Sequence, residues 1–171
     1  MATSVNSIDP GVFKVGENAV YPGHGVGKVV SIDTKEILGQ KKTFYTVQIQ
    51  ETGMKIMVPL DNVKSVGLRA IISREEAFEV IRILKRTDVK VDTQTWNRRY
   101  REYMEKIKTG SVYEIAAVLR DLFLLKVDKE LSFGERKMLD TARNLLMKEL
   151  TITTSKEELS QQEDVKAIFG L

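Results

Sequence analysis

Phe44-Tyr45-Thr46-Val47-Gln48-Ile49 puts Tyr45, Val47 and Ile49 on one side of an extended chain at a period of two, the pattern of a half-buried strand. Glu51-Thr52-Gly53 follows as a hairpin turn, with a glycine free to take positive φ. Upstream, Leu38-Gly39-Gln40-Lys41 reads as another turn. Working outward, the runs Asn18–Tyr21, Lys28–Ile32, Thr43–Gln50 and Met54–Leu60 are β-rich and separated by turn residues.

Four or five short strands within about 55 residues predict a small antiparallel β-barrel of the SH3 or Tudor type. Pro59 lies within the last run. Proline cannot donate to a ladder, so this strand is an edge or ends there. An edge leaves backbone groups to which a partner protein can add a strand.

Beyond Arg69 the period changes. Ser73 with Glu76 forms a capping box that opens a helix through about Arg86, with Ala77, Val80, Ile81 and Leu84 on one face. Thr93 or Thr95 caps a helix from Trp96 to Lys108 that stops at Gly110. Ser111 with Glu114 opens a third helix, through about Lys126, and Ser132 with Glu135 a fourth, through about Leu150. The fold class is therefore α+β in two domains, a small barrel followed by a compact all-α domain. The boundaries read as a polar lead over residues 1–11, the barrel over 12–68, the helical domain over 69–152 and an acidic tail or helix over 153–171.

Composition narrows the function classes. With 42% hydrophobic and 30% charged residues the chain is that of a soluble folded protein. No apolar run approaches the roughly 20 residues of a membrane helix, and the start lacks the basic and apolar pattern of a secretory signal. The absence of cysteine removes disulfides, thiolate metal sites and cysteine nucleophiles, and is compatible with a reducing cytoplasm. A net charge of +3 is low for non-specific coating of DNA, so any nucleic-acid contact is local.

Thr95-Trp96-Asn97-Arg98-Arg99-Tyr100-Arg101 is the most suggestive stretch. It holds the only tryptophan, followed by three arginines within five residues. Residues 96–108 carry five basic and two acidic side chains, the main local concentration of positive charge. Guanidinium groups pair with phosphate, and a flat apolar ring can wedge between bases. Trp96 also shares a helical face with Tyr100, Tyr103, Met104 and Ile107, which fits a core residue. Periodicity alone favours the core reading.

Other candidates are weaker. Gly23-His24-Gly25-Val26-Gly27-Lys28 resembles a phosphate loop but has three residues, not four, before its Gly-Lys pair, lacks the following Ser or Thr, and leads into a strand. His24, the only histidine, sits in a glycine turn without triad partners or a metal-ligand cluster. The barrel's aromatics, Phe13, Tyr21, Phe44 and Tyr45, are too few to fill a core and also cage a methyl-lysine. We expect no enzyme, no metal and no cofactor.

Four segments, in order, carry a resemblance. Val20-Tyr21-Pro22-Gly23-His24-Gly25-Val26-Gly27, Val66-Gly67-Leu68-Arg69, Thr95-Trp96-Asn97-Arg98-Arg99-Tyr100 and Leu131-Ser132-Phe133-Gly134-Glu135-Arg136-Lys137-Met138-Leu139 together resemble the CarD/CdnL family of bacterial transcription regulators, over about residues 12–150. The resemblance implies a Tudor-like domain that docks on the RNA polymerase β subunit, through Lys35 and through Lys55, Ile56, Met57 and Pro59. It further implies a helical domain on promoter DNA, where Trp96 wedges into the minor groove at the upstream edge of the bubble. Arg98, Arg99, Arg101 and Arg136 would touch the DNA backbone. The expected outcome is a cytoplasmic, monomeric protein that stabilises the open complex, for example at ribosomal-RNA promoters. Some members carry arginine where Lys35 and Met57 stand, so apolar contact and strand pairing would carry more of the docking here. Three rival expectations remain: a protein-only scaffold on polymerase, an autonomous DNA-binding repressor, and an SH3-like RNA or ribosome module.

Overall fold

The computed structural model describes residues 13–91 and 94–171. The expected lead of residues 1–11 and the Thr93 cap lie outside the described residues. The chain divides into two compact units, residues 13–21 with 26–70 and residues 22–25 with 71–171.

The first unit is a sheet of four strands, β1 (Asn18–Tyr21), β2 (Gly25–Ile37), β3 (Gln40–Ile49) and β4 (Lys55–Pro59), in the order β1-β2-β3-β4. β3 pairs antiparallel with both β2 and β4. The alternation of Tyr45, Val47 and Ile49 is the physical basis of this layer: all three are buried with Ala19, Val29, Val58, Val63 and Leu68. A bulge between Val29 and Ser31 lets Val29 oppose Val47 and Ile32 oppose Tyr45, restoring the inward phase after one extra residue. The Tyr45 hydroxyl accepts the Phe13 N–H at 3.0 Å, and the two rings meet edge to face at 5.8 Å.

The sheet is curled but open. β4 is an edge strand that ends at Pro59, and no ladder joins it to β1 among the described residues. A 3-10 turn (Leu60–Asn62) and helix α1 (Val63–Val66) lead instead to Arg69, which exchanges both backbone hydrogen bonds with Val20, at 2.7 and 3.2 Å.

β2 and β3 outrun β4. The β3–β4 ladder ends at the Phe44–Pro59 pair, but β2 and β3 continue together through Thr34–Thr43, Lys35–Lys42 and Glu36–Lys41 to Ile37–Gln40. The loop that closes this arm is Leu38-Gly39 alone, since Gln40 and Lys41 belong to β3. Both loop residues have positive φ, +51° and +77°, as a type I′ turn requires. An L-residue in that region costs about 1–2 kcal/mol, and the Leu38 side chain is 100% exposed.

The second unit contains α2 (Arg74–Lys85), α3 (Trp96–Lys108), α4 (Val112–Asp128), α5 (Phe133–Thr153), α6 (Lys156–Ser160) and α7 (Glu163–Phe169). The apolar stripes of α2, α4 and α5 meet in one core, which includes Ala77, Val80, Leu119, Leu122, Met138 and Leu146. The last segment closes over the same core through Leu159, Val165, Ile168 and Phe169. Complete capping boxes are present at Ser73–Glu76 and Ser132–Glu135. The expected box at Ser111–Glu114 does not form: Ser111 makes no side-chain cap bond, and its own N–H is held by the Thr109 hydroxyl at 3.2 Å. Buried Glu149 on α5 accepts the Ile72 N–H at 3.0 Å, fixing the chain just before α2. Among the described residues no helix is long and apolar enough to cross a membrane.

Candidate functional site

In the helical unit two sequence segments that lie far apart meet at the first turns of α3 and α5. Trp96 is the first residue of α3 and is half-buried, with its indole against Tyr100 (5.7 Å) and Tyr103 (6.3 Å). Tyr103 is core, whereas Tyr100 is exposed. One part of the tryptophan face therefore packs inward and another borders the surface. The core reading of the stripe holds for Tyr103 and Ile107, while Trp96 is only partly buried against that core.

Gly134, on the first turn of α5, lies beneath the indole. A Cβ added there would stand 2.7 Å from Trp96 Nε1, closer than real side chains approach. Only glycine lets the ring sit this near the α5 backbone.

The four arginines expected on DNA separate into two kinds. Arg98, Arg101 and Arg136 are exposed. Arg99 is only 5% exposed and faces the protein. Its Nε donates to the Gln94 carbonyl at 2.9 Å, and Nη1 and Nη2 donate to Glu135 Oε2 at 3.4 and 3.3 Å. Its guanidinium carbon also lies 5.2 Å from the Trp96 ring centroid, a cation–π contact. The Arg99 fork is thus committed within the protein, with its flat face against Trp96.

Glu135, 3% exposed, completes the arrangement. Its Oε1 accepts the Ser132 N–H at 3.3 Å and lies 3.5 Å from Lys129 Nζ. The Ser132 hydroxyl in turn accepts the Glu135 N–H at 3.3 Å. Burial alone would raise this carboxyl's pKa. The Ser132 hydrogen bonds and the Arg99 and Lys129 charges outweigh burial and hold it below the ordinary glutamate value.

Phe133, next to Gly134, was not singled out from the sequence, yet it is 75% exposed. The signal was its place as first residue of α5, off the Met138, Leu139, Ala142 and Leu146 stripe. An exposed aromatic beside the glycine that carries Trp96, on the same helix as Arg136, makes an apolar surface flanked by cations.

In the sheet unit, Lys35 and Lys55 are exposed and Met57 is 46% exposed. Ile56 packs against the sheet core instead, because alternation along β4 sends it inward with Val58. Lys55, Met57 and Pro59 share the opposite face, while β4 keeps one edge without a strand partner among the described residues.

Comparison with known proteins agrees with this division. Residues 13–72 match the model described as "CarD-like/TRCF RID domain", and residues 79–166 match "CarD, C-terminal domain". The chain is 33% identical over 141 residues to the "Putative transcription factor YdeB" of Bacillus subtilis, covering 82% of this chain and 92% of that protein. Among solved structures, CdnLNt from Myxococcus xanthus is 55% identical over 36% of this chain and 87% of its own, with a TM-score of 0.32. The 72-residue N-terminal domain of Myxococcus xanthus CarD is 45% identical over 34% of this chain and 77% of its own, with a TM-score of 0.30. With one domain model on each unit and a relative aligned along most of both chains, the protein belongs to the CarD/CdnL family.

Proposed function

We propose that the protein is a transcription regulator that docks on the RNA polymerase β subunit and stabilises the open promoter complex. The sheet unit does the docking, through Lys35 and the β4 surface of Lys55, Met57 and Pro59, with Ile56 contributing its backbone to strand addition. The helical unit contacts DNA at the upstream edge of the bubble. Trp96 fills the distorted minor-groove step, Phe133 extends the apolar surface, and Arg98, Arg101 and Arg136 contact phosphates. Arg99 positions Trp96 through Glu135. The protein acts in the cytoplasm, as a monomer, and needs no cofactor or catalytic step.

One observation carries this reading above the others. The half-buried tryptophan is held by a buried ion pair and a glycine contact, in a site with an exposed aromatic and exposed arginines. A wedge must be stiff to resist restacking, and this one is clamped before it meets DNA. Unstacking a base step costs about a few kcal/mol, so a rigid ring that fits only the melted state raises the cost of closing. A difference of about 1.4 kcal/mol shifts the equilibrium tenfold.

The test is open-complex lifetime on a ribosomal-RNA-type promoter with bacterial polymerase alone, with the protein, and with a Trp96→Ala variant shown to retain a cooperative thermal transition. The expected result is a lifetime that lengthens several-fold with the wild type and not with the variant. A wild-type protein that binds polymerase but leaves the lifetime unchanged would overturn the wedge and leave the scaffold reading.

A further inference from the structure

We infer that the docking surface continues along the β2–β3 arm past Lys35, with Lys42 joining Lys35 on an acidic surface of the same protein partner and Leu38 seated in an apolar recess. The inference rests on the docking proposed above and extends it beyond the β4 edge.

Three local features of the arm run against its own stability. Lys35 and Lys42 are direct cross-strand partners, and like charges placed opposite each other are destabilising. Leu38 occupies a left-handed position where asparagine or glycine is preferred. The same leucine buries nothing, being wholly exposed. A single exposed apolar residue needs no explanation. An exposed one that also holds strained backbone, at the tip of a ribbon with paired lysines, breaks several local rules together. Such conflicts concentrate at binding sites.

Register gives the partner's direction. Directly opposed residues share a face of the sheet, and that face continues at every second residue. Lys42 and Phe44 alternate along β3, and Phe44 opposes Pro59. The Lys35–Lys42 pair therefore lies on the face that carries Pro59, Met57 and Lys55. Ile37, 41% exposed, continues the same face toward the tip. The arm thus prolongs the proposed docking surface, on the same face of the sheet, past the end of β4. Its charge identifies the occupant: residues 34–43 carry three lysines and one glutamate. An acidic protein surface neutralises the lysine pair, and an apolar recess takes the leucine. Nucleic acid would also satisfy the lysines, but the face they share with Met57 and Pro59 continues the proposed protein-docking surface.

The experiment uses the full chain and immobilised bacterial RNA polymerase core enzyme, with Leu38→Asn and Lys42→Glu variants. Both substitutions remove a local conflict, since Asn-Gly suits the turn and glutamate opposite Lys35 makes an attractive pair. Each should keep or raise the thermal midpoint while weakening polymerase binding about tenfold, and the wild-type affinity should fall with salt. Unchanged polymerase binding by both variants overturns the inference and leaves β4 docking standing. Variants that lose affinity for duplex DNA, with polymerase binding intact, overturn it in favour of a nucleic-acid contact. Failure of the wild type to bind polymerase at all overturns the docking proposal, and the arm's role with it.

Discussion

Arg99 and Glu135 show how a side-chain type readable from sequence can take an unexpected place. Their charges and helical positions are plain in the chain, but their pairing across 36 positions is not. Arg99 stands four residues before Tyr103 and eight before Ile107, on the buried face of α3, so period marks it as the inward one of the three arginines. What period does not give is its counter-charge, which Glu135 brings from another helix. Truncation of Glu135 to alanine leaves a buried guanidinium without its counter-charge, so we expect a loss of about 3–5 kcal/mol, measured by urea denaturation at neutral pH. The pair also has a pH signature. The Glu135 carboxyl binds its proton less tightly folded than unfolded, so its stabilisation is complete above the ordinary glutamate range. It is lost as the pH falls through the lower folded value. The stability gap between wild type and Glu135→Gln should therefore narrow in acid; a gap constant from pH 7 to pH 3 would contradict this account.

At the scale of elements, period and capping chemistry carried the reading well. The Tyr45, Val47 and Ile49 alternation became the buried side of β3, and the boxes at Ser73 and Ser132 open α2 and α5. Ser111 makes no side-chain cap bond, and its own N–H, which the box would give to Glu114, goes to the Thr109 hydroxyl two residues earlier, a local contact outside the four-residue motif. The arm was legible only as a turn, since its length depends on where β4 stops. The last segment reads as acidic because four of its six charged residues are carboxylates. Yet Leu159, Val165, Ile168 and Phe169 are all core. Fully burying one such side chain is worth about 1.5–3 kcal/mol. Deletion of residues 156–171 should therefore abolish or greatly lower the cooperative thermal transition of the helical unit. A truncated chain that melts at the wild-type temperature would make α6 and α7 dispensable.

For the whole molecule, the small net charge sets a quantitative expectation. Of the four arginines in the proposed DNA site, three are exposed. Counterion release from three phosphates gives a slope of log affinity against log salt of roughly −3 on free duplex, with weak binding overall. A fluorescence titration at several salt concentrations measures it. A slope steeper than about −6 would point to an autonomous DNA binder with contacts elsewhere. The division of labour was visible in the sequence as a change of period near Arg69. The clamp around Trp96 was not, because it unites residues from two helices that share no pattern. Under the proposed docking on polymerase, the sheet unit would supply most of the affinity, and the helical unit would need few cations.

The clamp also has a consequence for heredity. Glu135 is at once the cap of one helix and the counter-ion of an arginine on another, so a single codon answers to two constraints. Lysine at position 99 would keep the charge but not the fork that reaches both Gln94 and Glu135. Removing either partner leaves the other charge buried and unpaired, a cost that removing both relieves. The two sites should behave as one locus under mutation: in a double-mutant cycle, the second substitution costs far less than the first.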